Sequence, residues 1–144
     1  MKISFHKNHI LVISPAIVRL AGQFTTGENY AKGMAFFPFL FVSDIQYAQP
    51  WLINHELIHF RQQLETLFVG HELLSLFERL YARIVLKKTK SERYLYAASE
   101  QEAYRNQNNP DYLKHRRLWS IFTYVRDKRD FEFGKELGQI VDKD

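Results

Sequence analysis

The sequence predicts an α+β fold, in which a small antiparallel sheet near the N-terminus packs on a mainly helical body. Two observations support this prediction. Residues 3–42 favour extended structure, with β-branched and aromatic runs at 10–13 and 34–42. After Asp44 the apolar residues recur at helical spacing instead. A chain of 144 residues fits one domain, which we expect to span residues 1–144 and to bury a real core.

The composition fits a globular protein and limits the kind of metal site that the chain can build. Hydrophobic residues make up 46% of the chain and aromatic residues 15%, which excludes a disordered polymer. Cysteine is absent, so the chain has neither a disulfide framework nor a cysteine-rich zinc site. Any bound metal must therefore use histidine and carboxylate ligands.

Charged residues argue against a membrane span and against a nucleic-acid partner. The most apolar stretch, Leu64 to Leu86, is interrupted by Glu65, Glu78 and Arg83, among others. The net charge of +4 is modest, and acidic residues lie among the basic clusters, which is typical of solvated helix surfaces. The first 20 residues lack the uninterrupted apolar core of a signal peptide, so we expect a cytoplasmic protein.

The front of the chain contains two candidate strands. Ile10 to Ile13 is a short β-branched run, and we expect Pro15 to end it. Met34 to Val42 is a dense aromatic run that contains Pro38. Because proline cannot donate a hydrogen bond to a neighbouring strand, this second strand should lie at an edge or be irregular at Pro38.

The remainder of the chain predicts four helices, at 50–69, 71–87, 90–107 and 111–127. Gly70 can close the first of them. Thr89 and Glu92 have the spacing of a capping box at the start of the third, and Pro110 follows its end. The tail from 130 to 144 favours neither helix nor strand.

The most informative motif is His55-Glu56-Leu57-Ile58-His59, an instance of HExxH inside a predicted helix. Two histidines four residues apart lie one turn apart on the same face, so both imidazoles can reach one zinc ion. Glu56 lies about 100° around the helix from His55, where its carboxylate can act on a water molecule instead of binding the metal.

A catalytic zinc site needs a third protein ligand, which must come from another part of the chain. His71 lies about 18 Å beyond His59 along a continuous helix. It could share the metal only if the chain folded back at Gly70, which we do not expect. Glu100 lies in the third predicted helix between Ala97 and Ala103, whose small side chains would let this helix approach the histidines. Glu102 points about 160° away from Glu100 around that helix, so only one of the two can bind, and Glu102 is the reserve candidate.

Three segments together resemble a known class of enzyme. They are Phe37-Pro38-Phe39-Leu40-Phe41-Val42, the HELIH motif with its continuation to Glu65, and Glu100-Gln101-Glu102-Ala103-Tyr104. The chain resembles small bacterial zincin-like metallopeptidases of the gluzincin type, over roughly residues 33 to 125. The resemblance implies a zincin-like fold with one zinc ion per chain, bound by His55, His59 and Glu100. It also implies that the Met34–Val42 strand lies beside the cleft and pairs with an extended substrate.

The activity implied is hydrolysis of a peptide bond in a peptide or protein substrate, with Glu56 as the catalytic base. Four residues could supply a second donor to the developing negative charge, and the sequence does not choose among them: Tyr104, Tyr112, His115 and Arg116. Gln62 and Gln63 continue the histidine-bearing side of the helix one turn beyond the motif, where either could support a metal ligand; of the two interpretations, we expect surface residues.

Two alternative functions stay open. In the first, zinc holds the fold or reports metal status without catalysis. In the second, the chain is a helical interaction module without metal, and the apolar stretch from Leu64 to Leu86 is its docking surface.

Overall fold

A computed structural model describes residues 1–25 and 32–129 and shows an α+β architecture, with a four-stranded sheet and a mostly helical body. The strands are β1 (Lys2–Phe5), β2 (Ile10–Ile13), β3 (Gly33–Phe36) and β4 (Phe39–Val42). The helices of the described part are α1 (Pro15–Thr25), α2 (Pro50–Glu65), α3 (Gly70–Ile84), α4 (Lys90–Tyr96), α5 (Ala98–Asn106), α6 (Tyr112–His115) and α7 (Ile121–Arg126), with a short 3₁₀ turn at Ile45–Tyr47.

The sheet is mixed, so the prediction of an antiparallel sheet is wrong for one strand pair. The strand order is β1-β2-β4-β3, and the central pair β2–β4 runs parallel while both outer pairs run antiparallel. The cause is α1, which the sequence analysis treated as extended chain. Pro15 does end β2, but it also starts this helix, where a first-turn proline costs no hydrogen bond.

The aromatic run 34–42 is a hairpin and not one strand. Phe36 of β3 pairs with Phe39 of β4, and the turn between them contains the cis Phe37–Pro38 peptide bond. Pro38 therefore lies outside both strands, as its missing N–H requires. β3 lies at the edge of the sheet, as expected for this run, whereas β4 lies in the interior between β2 and β3.

The turn between α2 and α3 comes earlier than predicted. Helix α2 ends at Glu65, and Leu67 and Phe68 then adopt positive φ values of 53° and 67°. Gly70 begins α3 instead of closing α2. A Cβ atom at this position would lie 2.8 Å from Cβ of Thr66, so the tight turn requires glycine.

The third and fourth predicted helices are each divided in two. Ala97 is extended, with ψ of 133°, and separates α4 from α5. The predicted capping box is confirmed, because the side chains of Thr89 and Glu92 each accept a backbone hydrogen bond at the start of α4. Trp119, with φ of 61°, lies between α6 and α7. The ambiguous tail 130–144 lies outside the described residues.

Helix α2 packs on the sheet, while α3 leaves an apolar face exposed. Buried side chains of both layers form one core cluster: Leu11, Leu40, Val42, Leu52 and Phe60. Along α3 and the segments on either side of it, large apolar side chains are at least 40% exposed, among them Leu67, Leu73, Leu76, Phe77, Leu80 and Ile84. None of the described helices is long and apolar enough to cross a membrane.

Candidate metal centre

Helix α2 carries the HExxH residues between the sheet and α5. It begins with Pro50 at its first position, which suits a helix start because the missing N–H would have no partner there. Leu52 and Phe60 fix one side of the helix in the sheet core. His55 and Glu56 are each only 4% exposed, so the motif lies inside the protein and not on its surface.

Helix α5 brings Glu100 to the histidines, as the small residues around it predicted. Ala97, Ala98 and Ala103 are fully buried, so α5 approaches its neighbours closely. Helix α3 fixes the start of α5, because Oε2 of Glu78 accepts a 2.7 Å hydrogen bond from the Ala98 N–H. A carboxylate at a helix N-terminus satisfies a free N–H and complements the helix dipole.

The three predicted ligand side chains converge. The Nε2 atoms of His55 and His59 lie 3.2 Å apart, and the Glu100 carboxylate oxygens lie 3.6 Å and 3.7 Å from them. One atom from each residue lies within 4.8 Å of the others. Among residues 1–25 and 32–129, this is the one group of three or more His, Asp or Glu side chains that could hold a metal ion.

Gln62 fixes the tautomer of His59. Its Nε2 donates hydrogen bonds to the Ser99 carbonyl at 3.1 Å and to Oε2 of Glu102 at 2.9 Å, and both of these atoms accept only. Its Oε1 therefore faces Nδ1 of His59, 2.7 Å away, and must accept a hydrogen bond from the N–H there. Neutral His59 thus carries its proton on Nδ1 and presents the Nε2 lone pair to Glu100 and His55.

Gln107 holds His55 in the same way. Its Oε1 lies 3.0 Å from Nδ1 of His55, which places the proton of the neutral ring on Nδ1. Gln107, the residue after α5, is held by Asn54 of α2. Nδ2 of Asn54 lies 2.9 Å from the Gln107 carbonyl oxygen, and 3.1 Å and 3.0 Å from those of Asn106 and Asn109. These carbonyls follow the end of a helix and need outside donors.

This arrangement leaves three electron-rich atoms facing one point. Two neutral imidazole lone pairs 3.2 Å apart repel each other, and the neighbouring Oε2 of Glu100 is buried without a hydrogen-bond partner. Only a cation relieves this crowding, either a proton or a metal ion. Two histidines and a glutamate are also a donor set that zinc accepts, so the residues present fit a zinc ion.

The pKa values of the three candidate ligands shift in different directions. Burial lowers the pKa of His59. Burial by itself also lowers the pKa of His55, but the Glu100 carboxylate, 3.6 Å away, and the charge of Glu56 raise it overall. Burial raises the pKa of Glu100, whereas the charges of His59 and His55 outweigh that effect and lower it to about 2. The Glu100 carboxylate is therefore ionised at neutral pH and ready to bind a cation.

Glu56 lies against the sheet edge with its carboxyl buried. Burial raises its pKa to about 7; the charge of His55 opposes this rise and that of Glu100 adds to it. Gly33 of β3 makes room for this carboxyl, because a Cβ atom at residue 33 would lie 2.8 Å from Oε1 of Glu56. A carboxyl with a pKa near neutrality can both take up and release a proton.

The reserve ligand Glu102 points into a different cluster. It is fully buried, and its Oε1 lies 2.5 Å from Nε of Arg116 and 2.8 Å from the Tyr112 hydroxyl. Its Oε2 accepts from Gln62 and from Nη2 of Arg116. Glu102 therefore contacts the metal ligands only through Gln62.

The candidate second donors and His71 separate in the structure. Tyr112 and Arg116 bind Glu102, and His115 is exposed on α6. Tyr104 is the candidate beside the centre, with its ring 4.7 Å from that of His55. The chain does fold back at Gly70 and buries His71 on α3, but His71 is not part of the metal-binding group.

The expectation that Gln62 and Gln63 are surface residues is wrong, because both are buried. Gln63 binds the edge of the sheet. Its Nε2 donates to the Ala35 carbonyl at 2.8 Å, and its Oε1 accepts from the Phe37 N–H at 2.9 Å. The amide thus takes the place of a neighbouring strand, and these two groups are not available to a substrate.

The sequence offered Gln62 as a candidate partner of the motif, although we expected a surface residue, and it gave no indication of Gln107 or of the asparagine that holds Gln107. The one available signal was position, since Gln62 follows His59 by one helical turn and so lies on the same face. Gln107 and Asn54 gave no signal.

Comparison of the chain with protein-family models, with curated proteins and with solved structures gives no match. The proposals below therefore depend on the geometry of the site and on the motifs.

Proposed function

We propose that the protein is a zinc-dependent metallopeptidase with a gluzincin-type centre. His55, His59 and Glu100 would hold one zinc ion, and Glu56 would be the catalytic base. The observation that carries the proposal is the convergence of two imidazole lone pairs and a carboxylate oxygen without a hydrogen bond, with the buried carboxyl of Glu56 beside them. A zinc site with a purely structural role would not need the Glu56 carboxyl beside its three ligands.

Each protein residue has a separate task in this proposal. Zinc bound to the three ligands would act as a Lewis acid on the substrate carbonyl and acidify a water molecule. Glu56 would accept a proton from the attacking water on its carboxylate and deliver it to the leaving amine. The Gln62 and Gln107 amides keep Nδ1 of each histidine protonated, which orients the rings and keeps both Nε2 atoms directed at the centre.

The cleft would lie between α2, the end of β3 near Gly33, and the Tyr104 side of α5. The resemblance implies an extended substrate along β3, and the Gln63 amide limits that pairing to the part of the strand before Ala35. Tyr104 is placed to contact the substrate beside His55. Burial and the charge of Glu100 raise its pKa, so its hydroxyl keeps its proton and can donate a hydrogen bond.

The test compares the parent protein with Glu56→Gln after both have been loaded with zinc. Glutamine keeps the size of the side chain but cannot accept the proton of water, so the variant should hold one zinc per chain and cleave no peptide. Cleavage is measured by mass spectrometry on a peptide library at neutral pH. Loss of zinc from Glu56→Gln would make Glu56 a ligand, and equal cleavage by both proteins would remove it as the base.

The same comparison separates the alternative functions. A non-catalytic zinc protein would hold the metal, and neither the parent nor Glu56→Gln would cleave any peptide. An interaction module without metal would purify without zinc and take none up on addition. The exposed apolar face of α3 is the surface that such a module would use.

A further inference from the structure

Arg79 is a half-buried cation on α3 that pairs with no carboxylate among residues 1–25 and 32–129. Its Nε atom is buried without a hydrogen bond, and within the described residues the side chain forms no ion pair. Its guanidinium lies over the ring of Tyr94, with Cζ 5.2 Å from the ring centre. An arginine removed from water usually binds a carboxylate, because its planar fork matches two carboxylate oxygens.

A continuous row of side chains joins Arg79 to the metal centre. The Tyr94 ring lies 6.4 Å from that of Tyr104, which in turn lies 4.7 Å from the ring of His55. The Arg79 guanidinium therefore lies on the α3 side of the metal centre, beyond Tyr94 and Tyr104.

His71 on the same helix has a second buried polar atom without a hydrogen bond. The residue is 5% exposed, and its Nδ1 has no hydrogen-bond partner within the described residues. Its Nε2 lies 3.3 Å from Oε1 of Glu72. A hydrogen bond to His71 is the largest cause that lowers the pKa of Glu72, and the charges of His71, Arg79 and His59 contribute as well. These side chains thus border one region.

We propose that Arg79 is the residue that selects the substrate, by binding a substrate carboxylate on the α3 side of the centre. This inference rests on the proposed peptidase function and adds its substrate class, which is a peptide with a carboxylate near the scissile bond. That group is either the C-terminal carboxylate or an Asp or Glu side chain. The ring of Tyr94 packs against the guanidinium of Arg79 and would line this subsite.

The test measures binding, and all variants are made in the Glu56→Gln background so that no peptide is cleaved. The first pair of probes is a hexapeptide library without Asp or Glu, prepared with a free C-terminal carboxylate and as the C-terminal amide. The second pair is a C-terminal amide library with one Asp or one Asn at a fixed position. Retained peptides are counted by mass spectrometry, and zinc is measured in the same samples.

The matched variants are Arg79→Gln and Arg83→Gln. Arg83 lies one turn further along α3 and is exposed, so its replacement removes the same charge without touching the proposed subsite. With Arg79 present, one carboxylate probe should be retained roughly tenfold or more over its neutral twin, the range of a charge-assisted hydrogen bond. Arg79→Gln should abolish this preference, Arg83→Gln should keep it, and Arg79→Lys should keep part of it.

The outcomes are separable from those of the proposed function. Because zinc itself can bind a carboxylate, the comparison of Arg79→Gln with Arg83→Gln decides. Zinc binding with no carboxylate preference, or an equal loss in both variants, overturns the inference and leaves the zinc proposal standing. Absence of zinc overturns the peptidase proposal. The retention of carboxylate and neutral probes by Arg79→Gln and Arg83→Gln is then compared on the metal-free protein, and it still tests the inference about Arg79. A preference within the first pair of probes identifies a C-terminal carboxylate as the bound group, and a preference within the second pair identifies an acidic side chain.

Discussion

Oε1 of Gln62 lies 2.7 Å from Nδ1 of His59, and the other end of the same amide donates to Oε2 of Glu102. The amide links a candidate metal ligand to a buried ion-pair cluster. It also determines which nitrogen of His59 carries the proton, because neither the Ser99 carbonyl nor the Glu102 carboxylate can donate. A residue outside the HExxH motif thus makes the second histidine of that motif competent to bind a metal.

We expect Gln62→Met to weaken zinc binding by about 10- to 100-fold, the usual effect of losing a partner that orients a histidine ligand. The control is Gln63→Met, which replaces the next residue, also a buried glutamine, but one that binds the β3 edge instead of a ligand. Zinc affinity is measured by competition with a chromogenic chelator. Equal affinities in the two variants would contradict the assigned role of Gln62.

Arg116 should be a main contributor to stability. Its side chain is 2% exposed and bonds both Glu65 and Glu102, which are buried as well. Arg116→Met leaves two carboxylates buried without their cation, and breaking such a pair costs about 3–5 kcal/mol. Urea unfolding measures the loss. The control Arg117→Met replaces the exposed arginine next to it, and a similar loss in that variant would show that the network is not responsible.

Gly33 is expected to tolerate no side chain while Glu56 is present. In Gly33→Ala the new Cβ would meet Oε1 of Glu56 at 2.8 Å and Cδ2 of Leu52 at 3.3 Å, and such overpacking costs about 1–3 kcal/mol. A double-mutant cycle with Glu56→Ala tests the contact by urea unfolding. The cost of Gly33→Ala should shrink when Glu56 is alanine. An unchanged cost would place the strain elsewhere, for example at Leu52.

The site residues differ in how far the sequence reveals them. His55 and His59 follow from helical spacing, and the small side chains around Glu100 predicted a close approach of its helix, which the full burial of Ala97 and Ala103 agrees with. Glu100 and Glu102 could not be separated with certainty, since the choice depends on where Arg116 and Tyr112 lie. Glutamines such as Gln62 have no characteristic periodicity, and their role depends on tertiary contacts.

The fold was predictable in class but not in topology. The β-branched run from Ile10 to Ile13 predicted β2, and the capping box at Thr89 predicted the start of α4. The aromatic run 34–42 predicted extended structure but not the turn that divides it into β3 and β4. Helix α1 was missed because Ile17 and Val18 suit a strand as well as a helix. Since α1 connects β2 to the β3–β4 hairpin, missing it also hid the parallel pairing of β2 with β4.

The most direct test of the metal centre is a zinc titration of two variants in α5, Glu100→Gln and Glu102→Gln, against the parent protein. We expect one zinc per parent chain. Glu100→Gln should lose affinity by more than about 100-fold, because it removes a ligand and not merely a partner of a ligand. Glu102→Gln, with its folding verified by circular dichroism, should still bind one zinc. Zinc loss in Glu102→Gln alone, with Glu100→Gln binding as the parent does, would contradict the assignment of Glu100 as the third ligand.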